Sequence, residues 1–182
     1  YYLFKPHRLF QLNIIRKFRI EREKRKGTVC DQLETEQYQW VSALTSFPVG
    51  KIRDVIDEWM FQRPLRYLPP TAFSHVPEIF SRLREKKIRL AVYSDYPTKD
   101  KMNALNLSVD LEVASTDPEI NALKPAPNGL AYILDHFHIP KERCLFIGDR
   151  DSTDGKCAEN VDIDYLIIDA NGAVYKDLLK LV

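Results

Sequence analysis

Cysteine is scarce in this chain. Its three cysteines, Cys30, Cys144 and Cys157, are far apart and odd in number. They offer neither a disulfide framework nor the closely spaced thiolates of a structural zinc site, so thiols in a reducing cytoplasm are expected. No stretch reaches the ~18 consecutive apolar residues of a membrane span, and the reading expects no signal peptide and no membrane partner. An excess of one charge is also missing. With 27 Lys and Arg against 26 Asp and Glu, the formal net charge is +1, which gives no general pull toward nucleic acid or an anionic membrane. There are no internal repeats and no low-complexity tracts. The 182 residues suit one globular domain, or a core with a small accessory domain.

The two parts of the chain read differently. In "RLFQLNIIRKFRIEREKRKG", Leu9, Leu12, Ile15 and Phe18, with Arg22 continuing, predict a helix that Gly27 stops. The basic run at its end reads as a solvated helix face rather than an RNA site, because Glu21 and Glu23 interrupt it. A second helix is expected over Glu34–Leu44. A third, "VGKIRDVIDEWMFQ", places Ile52, Val55, Ile56 and Trp59 on one face. Tyr38, Trp40, Trp59 and Phe61 read as core of this helical part, with one or two facing a substrate. "RPLRYLPPT" is a connection. Residues 1–68 are thus expected to form a helical domain and 69–182 an α/β domain.

From Thr71 onward helices alternate with short apolar strands. A helix in "SHVPEIFSRLREKKI" carries Pro77 in its first turn. The strands are "IRLAVYS", "LEVAST", "RCLFIGD" and "DYLIIDA"; helices are expected in "KDKMNALNL", "APNGLAYILDHFHI", "TDGKCAENV" and "AVYKDLLKLV". The alternation predicts a parallel sheet with helices on both faces, a three-layer Rossmann-like α/β fold. Ligands of such sheets sit beyond the carboxyl ends of the strands.

Three places there carry chemistry. "LAVY" ends at Ser94 and Asp95, "NALKPAP" holds Lys124, and "CLFI" runs into Asp149, Asp151 and Asp154. A hydroxyl can bind phosphate oxygens, an ammonium can neutralise them, and carboxylates can hold Mg²⁺. These are parts for phosphoryl chemistry, where catalysis is mostly positioning and charge stabilisation. His136 and His138 in "DHFHIP" read as groups near a helix C-terminus rather than a metal pair.

These residues, in this order, resemble the haloacid dehalogenase superfamily of aspartate-nucleophile phosphatases, and "SDYP" with "KPAPNGLAYIL" resembles its phosphoglycolate phosphatase-like branch. Ser94 is similar to the second motif of that family, Lys124 to the third, and "FIGDRDSTD" to the fourth. The resemblance implies a Mg²⁺-dependent phosphatase of a small phosphorylated metabolite, working through an aspartyl-phosphate under a helical cap. It makes Ser94 and Lys124 catalytic, puts Ser94, Lys124 and Asp95 at the phosphate, and makes Asp149 and Asp154 metal ligands. Asp95 stands where the family often has Asn. Asp154 is also read as a cap of the following helix, and Asp151 as a solvated loop acid; which of the three acids touches the metal stays open.

The first motif of the family, Asp-x-Asp on a core strand, has no counterpart here. The chain is therefore expected to lack its nucleophile, which would precede Tyr1 on a strand between those ending at Ser94 and Asp149. The 182 residues alone are expected to be inactive. The alternative is a non-catalytic binding or scaffold module on the same fold.

Overall fold

The computed structural model describes residues 9–168 together with Tyr175, Leu179 and Lys180. Three helices come first: α1 (Leu9–Lys24), α2 (Leu33–Thr45) and α3 (Val49–Ile56). Helix α3 runs into a π-helical turn, Asp57–Gln62, and two 3₁₀ turns, Arg63–Tyr67 and Pro69–Thr71. Glu34 and Glu36 in the first turn of α2 suit the positive end of its dipole. Ser46 ends α2 in a left-handed conformation, its N–H donating to the Ser42 carbonyl.

The three helices share one core of Ile14, Phe18, Tyr38, Val41, Ile52, Val55 and Ile56. The Phe18 and Tyr38 rings stack with centroids 5.7 Å apart. The face of α1 differs from the sequence reading: Leu9 and Leu12 are exposed, whereas Gln11, Ile14, Phe18, Glu21 and Arg22 are buried. A strict three-residue repeat slips about 60° around a helix at each step, so Leu9 to Phe18 spans half its circumference. Steps of three and four, as in Gln11, Ile14, Phe18 and Arg22, stay on one face.

The rest alternates as expected: α4 (Val76–Glu85), β1 (Ala91–Ser94), α5 (Lys99–Ala104), β2 (Leu111–Ala114), α6 (Asn128–Phe137), β3 (Leu145–Gly148), α7 (Lys156–Glu159) and β4 (Asp164–Ile167). Pro77 lies in the first turn of α4. All the described strand pairing within these elements is parallel, β1 with β2 and β3 with β4. The architecture is α/β with a parallel, Rossmann-like arrangement. The described strands form two two-stranded sheets, with no ladder between β1 and β3, the pair between which the sequence reading places a further strand. The end of "DYLIIDA" and most of the closing helix fall outside the described residues.

One core nonetheless serves both sheets. Tyr93, Val113, Ile120, Leu130, Ile133, Cys157 and Ile163 are buried together, with Phe146 and Tyr165 packed against them. Gly129 lets α6 lie against Tyr93, since a β-carbon there would come within 2.3 Å of the ring. Helical and α/β parts are stitched by backbone. The Leu123 N–H donates to the Thr28 carbonyl at 2.9 Å and the Cys30 N–H to the Asn121 carbonyl at 3.0 Å. The Asn121 side chain adds two bonds, accepting from the Leu33 N–H and donating to the Asp31 carbonyl. The connection between α1 and α2 is thereby fixed to the segment that leads into Lys124.

Candidate active site

Four segments meet where the helical part faces the strand ends. They are the loop after β1, the Lys124 loop, the turn after β3 and the inner face of α1. A cavity of about 480 Å³ lies between them. Its lining includes Asp95, Tyr96, Lys101, Lys124 and Arg150 from the α/β part. Arg19, Arg22 and Glu23 come from α1, Lys26 from the turn after it, and Trp59, Met60 and Phe61 from the π-helical turn.

Lys124 and Asp154 form the buried centre. The Lys124 ammonium donates to Asp154 Oδ1 at 2.6 Å, with the side chains only 10% and 5% exposed. The second carboxylate oxygen, Oδ2, accepts the N–H groups of Asp149 at 3.2 Å and Arg150 at 3.0 Å. Burial alone would push the Asp154 carboxyl up, but the Lys124 ammonium and these N–H groups hold it below the usual carboxylate range. Asp154 thus folds the "GDR" turn around itself and aims Lys124. It does not cap the helix after it, because the N–H groups that it accepts precede it. Gly148 makes this possible, since a β-carbon there would lie 2.4 Å from the Asp154 β-carbon.

The other predicted residues separate into roles. Ser94 ends β1, and its Oγ accepts the Tyr96 N–H at 3.2 Å, shaping the loop; Asp95, its neighbour, reaches the cavity. Asp95 Oδ1 accepts from the Ser115 hydroxyl at 2.8 Å and the Lys124 N–H at 3.3 Å. This carboxylate ties the ends of β1 and β2 to the Lys124 loop. The Lys124–Pro125 peptide is cis. Asp149 is exposed and Asp151 is exposed beside the Tyr165 hydroxyl, 3.4 Å away. Among the described residues no three His, Cys, Asp or Glu side chains gather around one point. His136 packs against Tyr132 and Phe137, and His138 takes the left-handed position that ends α6.

The sequence reading missed the basic lining. Arg19, Arg22 and Lys26 follow each other at steps of three and four, the spacing of a single helix face. That signal was present but merged with the solvated residues around it. Arg22 is buried, and its guanidinium donates to Gln37 and to the Asp95 carbonyl. Lys101 reaches the cavity from α5; burial lowers its pKa, as does Lys124, while Asp95 opposes the shift. Of the aromatics, Tyr38 is core, whereas Trp59 and Phe61 line the cavity.

Among curated proteins, none matches the chain. Among solved structures, a protein from Thermotoga maritima provisionally named a beta-phosphoglucomutase is similar at 16% identity. The match has a TM-score of 0.56 and covers 92% of this chain and 89% of that one. A provisionally named haloacid dehalogenase-like hydrolase from Bacteroides fragilis matches at 17% identity and a TM-score of 0.56, over 94% of this chain and 86% of that one. A provisionally named phosphoglycolate phosphatase from Lactobacillus delbrueckii subsp. bulgaricus shares 18% identity over 78% of this chain and 71% of its own, with a TM-score of 0.49. At these identities the likeness is one of fold. The family model for haloacid dehalogenase-like hydrolases matches residues 13–168, most of the chain. The chain therefore belongs to the haloacid dehalogenase-like hydrolases.

Proposed function

We propose that the chain serves Mg²⁺-dependent hydrolysis of a small phosphorylated metabolite, bound in the cavity between the helical cap and the strand ends. The observation that carries this reading is the Lys124–Asp154 pair at the cavity floor. A phosphate monoester would be held by the Lys124 ammonium, with Lys101 adding a second cation. Ser94 would serve through its hydroxyl proton. Asp95 would act indirectly, holding the Lys124 loop in place. The similar protein from Thermotoga maritima is named for a phosphosugar mutase, which supports phosphate as the group recognised.

Mg²⁺ is commonly bound through one or two carboxylates, waters and substrate phosphate oxygens. The donor set here fits that need in part. Asp149 is the exposed acid at the end of β3, while both oxygens of Asp154 are already engaged. Asp149 would therefore hold the metal, and Asp154 would position Lys124 and the loop beneath it. The bound ion would supply charge neutralisation on the phosphoryl oxygens.

A second reading has its own observation. The carboxylates lining the cavity are occupied: Asp95 by Ser115 and the Lys124 N–H, Glu23 by Lys26 and Arg150. Their partners hold these carboxylates in structural roles, which suits a module that binds without turnover. Calorimetric titration with inorganic phosphate, with and without Mg²⁺, tests the first reading beside a p-nitrophenyl phosphate assay. Phosphate binding strengthened by Mg²⁺ and weakened about tenfold by Asp149→Asn is expected, at the scale of a lost ion contact. Binding indifferent to both would remove the metal role, and no phosphate binding at all would remove the phosphatase reading. Phosphate binding that Mg²⁺ does not strengthen, with no turnover, would select the second reading.

A further inference from the structure

The α1 side of the cavity holds a charge that no described residue neutralises. Arg22 is only 5% exposed, and a guanidinium stays protonated in any such setting. A buried charge is costly unless it is paired. Yet among the described residues Arg22 makes no ion pair. Its two contacts are neutral acceptors, the Gln37 side chain and the Asp95 carbonyl. Its guanidinium also lies 4.6 Å from the centre of the Tyr96 ring and 5.7 Å from that of Phe18. Two of its five N–H groups are engaged, leaving donors for a ligand.

Its surroundings deepen the imbalance. Arg19, one turn earlier on the same face of α1, is exposed at the cavity and has no partner among the described residues. Glu23 cannot serve either arginine, because it is committed to Lys26 and to Arg150 at 2.8 Å. The Asp95 carboxylate is turned to Ser115 and the Lys124 N–H. On the other side, Lys124 and Lys101 are the cations that the phosphate reading above uses. Two groups of cations thus line one cavity, and a single phosphate accounts for only one of them.

We propose that Arg22, assisted by Arg19, is a specificity-determining residue that binds a second anionic group of the substrate, so that the metabolite is a phosphate ester carrying a further oxyanion. This rests on the phosphate-binding reading above. The Arg22 link to the Asp95 carbonyl gives the second anion a further effect. Its binding fixes α1 against the loop that follows β1, drawing the helical part onto the substrate.

Calorimetry on the full chain with Mg²⁺ tests this with matched probes. Glycerol 3-phosphate and 3-phosphoglycerate differ by a terminal carboxylate; fructose 6-phosphate and fructose 1,6-bisphosphate differ by a second phosphate. In the parent, the doubly anionic member of at least one pair binds about tenfold tighter or better, the scale of one charge-assisted hydrogen bond. Which pair discriminates identifies the second anion as carboxylate or phosphate. Arg22→Gln reduces that preference to within about twofold while leaving inorganic phosphate affinity within about twofold, and Arg22→Lys restores part of it. Equal binding within both pairs in a parent that binds inorganic phosphate overturns the inference and leaves the phosphatase reading standing. Failure of every probe, inorganic phosphate included, overturns that reading and the inference with it. Should Arg22→Gln not fold, the exposed Arg19→Gln decides: a preference lowered about threefold supports the proposal, and an unchanged one overturns it.

Discussion

The helical part and the α/β part reach their stability by different means. Ile14, Phe18, Tyr38, Val41, Ile52, Val55 and Ile56 make a dense apolar core in which none of these residues is more than 2% exposed. Large side chains on facing helices bury one another there, with Tyr96 of the α/β part packed against them. In the α/β part the buried set includes smaller residues, Ala122, Ala126, Cys157 and Ala158. Strand β3 leaves Leu145 53% and Ile147 39% exposed, and no ladder joins it to β1. What binds that part around the cavity is polar: the Lys124–Asp154 pair and the Asp95 bridge. Most groups suited to chemistry thus sit in the part with more open strand edges, and the helical part is joined to it through residues 27–33, Arg22 and Glu23.

Substitutions can break this contrast. The largest effects are expected at the centres of the two parts. Phe18→Ala should destabilise by about 3–5 kcal/mol through a cavity among helices. Lys124→Ala should cost a similar ~3–5 kcal/mol, because it leaves Asp154 buried and unpaired. Urea unfolding gives both magnitudes, and hydrogen exchange locates them. Exchange that rises only in α1–α3 for the first and only around the strand ends for the second would show two units; a uniform rise in both would show that the stitch of Thr28 and Cys30 to Leu123 and Asn121 makes them one.

The next effect sharpens the polar side. Gly148→Ala should cost about 1–3 kcal/mol, since its β-carbon collides with Asp154. Acid sensitivity follows from the same residue. The Asp154 carboxyl is held below its ordinary range in the folded state, so its contribution is complete above the unfolded value of about 4 and is lost as pH falls toward the folded one. Stability of the parent should therefore drop more steeply below about pH 4 than that of Asp154→Asn. Parallel acid limbs would place the stabilisation elsewhere.

The smallest effects lie at the exposed positions. Leu145→Thr should change stability by no more than about 0.5 kcal/mol, despite removing a leucine from a strand. A loss comparable to that of a core leucine would mean that β3 is covered in solution. Asp149→Asn should be equally mild for folding, within ~0.5 kcal/mol, whatever it does to Mg²⁺.

Much of this was legible in the residues. Helices α1 to α3, the alternation after Thr71 and the parallel strands followed from apolar spacing and from punctuation by Gly, Pro and Asp. The strand ends at Ser94 and Gly148 and the loop at Lys124 were placed correctly because short apolar runs stop visibly at polar residues. Local pattern was enough for these, since periodicity and chain breaks act over a few residues.

What the residues left undecided depends on contacts between distant segments. Spacing showed Leu9 and Leu12 as apolar, but the packing of α1 on α2 and α3 chose Ile14 and Phe18 as the buried pair. A carboxylate at Asp154 was evident, but whether it faced a metal, a helix end or Lys124 depended on a turn closing over Gly148 and a loop 30 residues earlier. Arg22 looked like one more charge in a basic run. Only the docking of α1 against the loop at Asp95 took it out of water, and desolvation, which no linear pattern encodes, is what gives that charge its meaning.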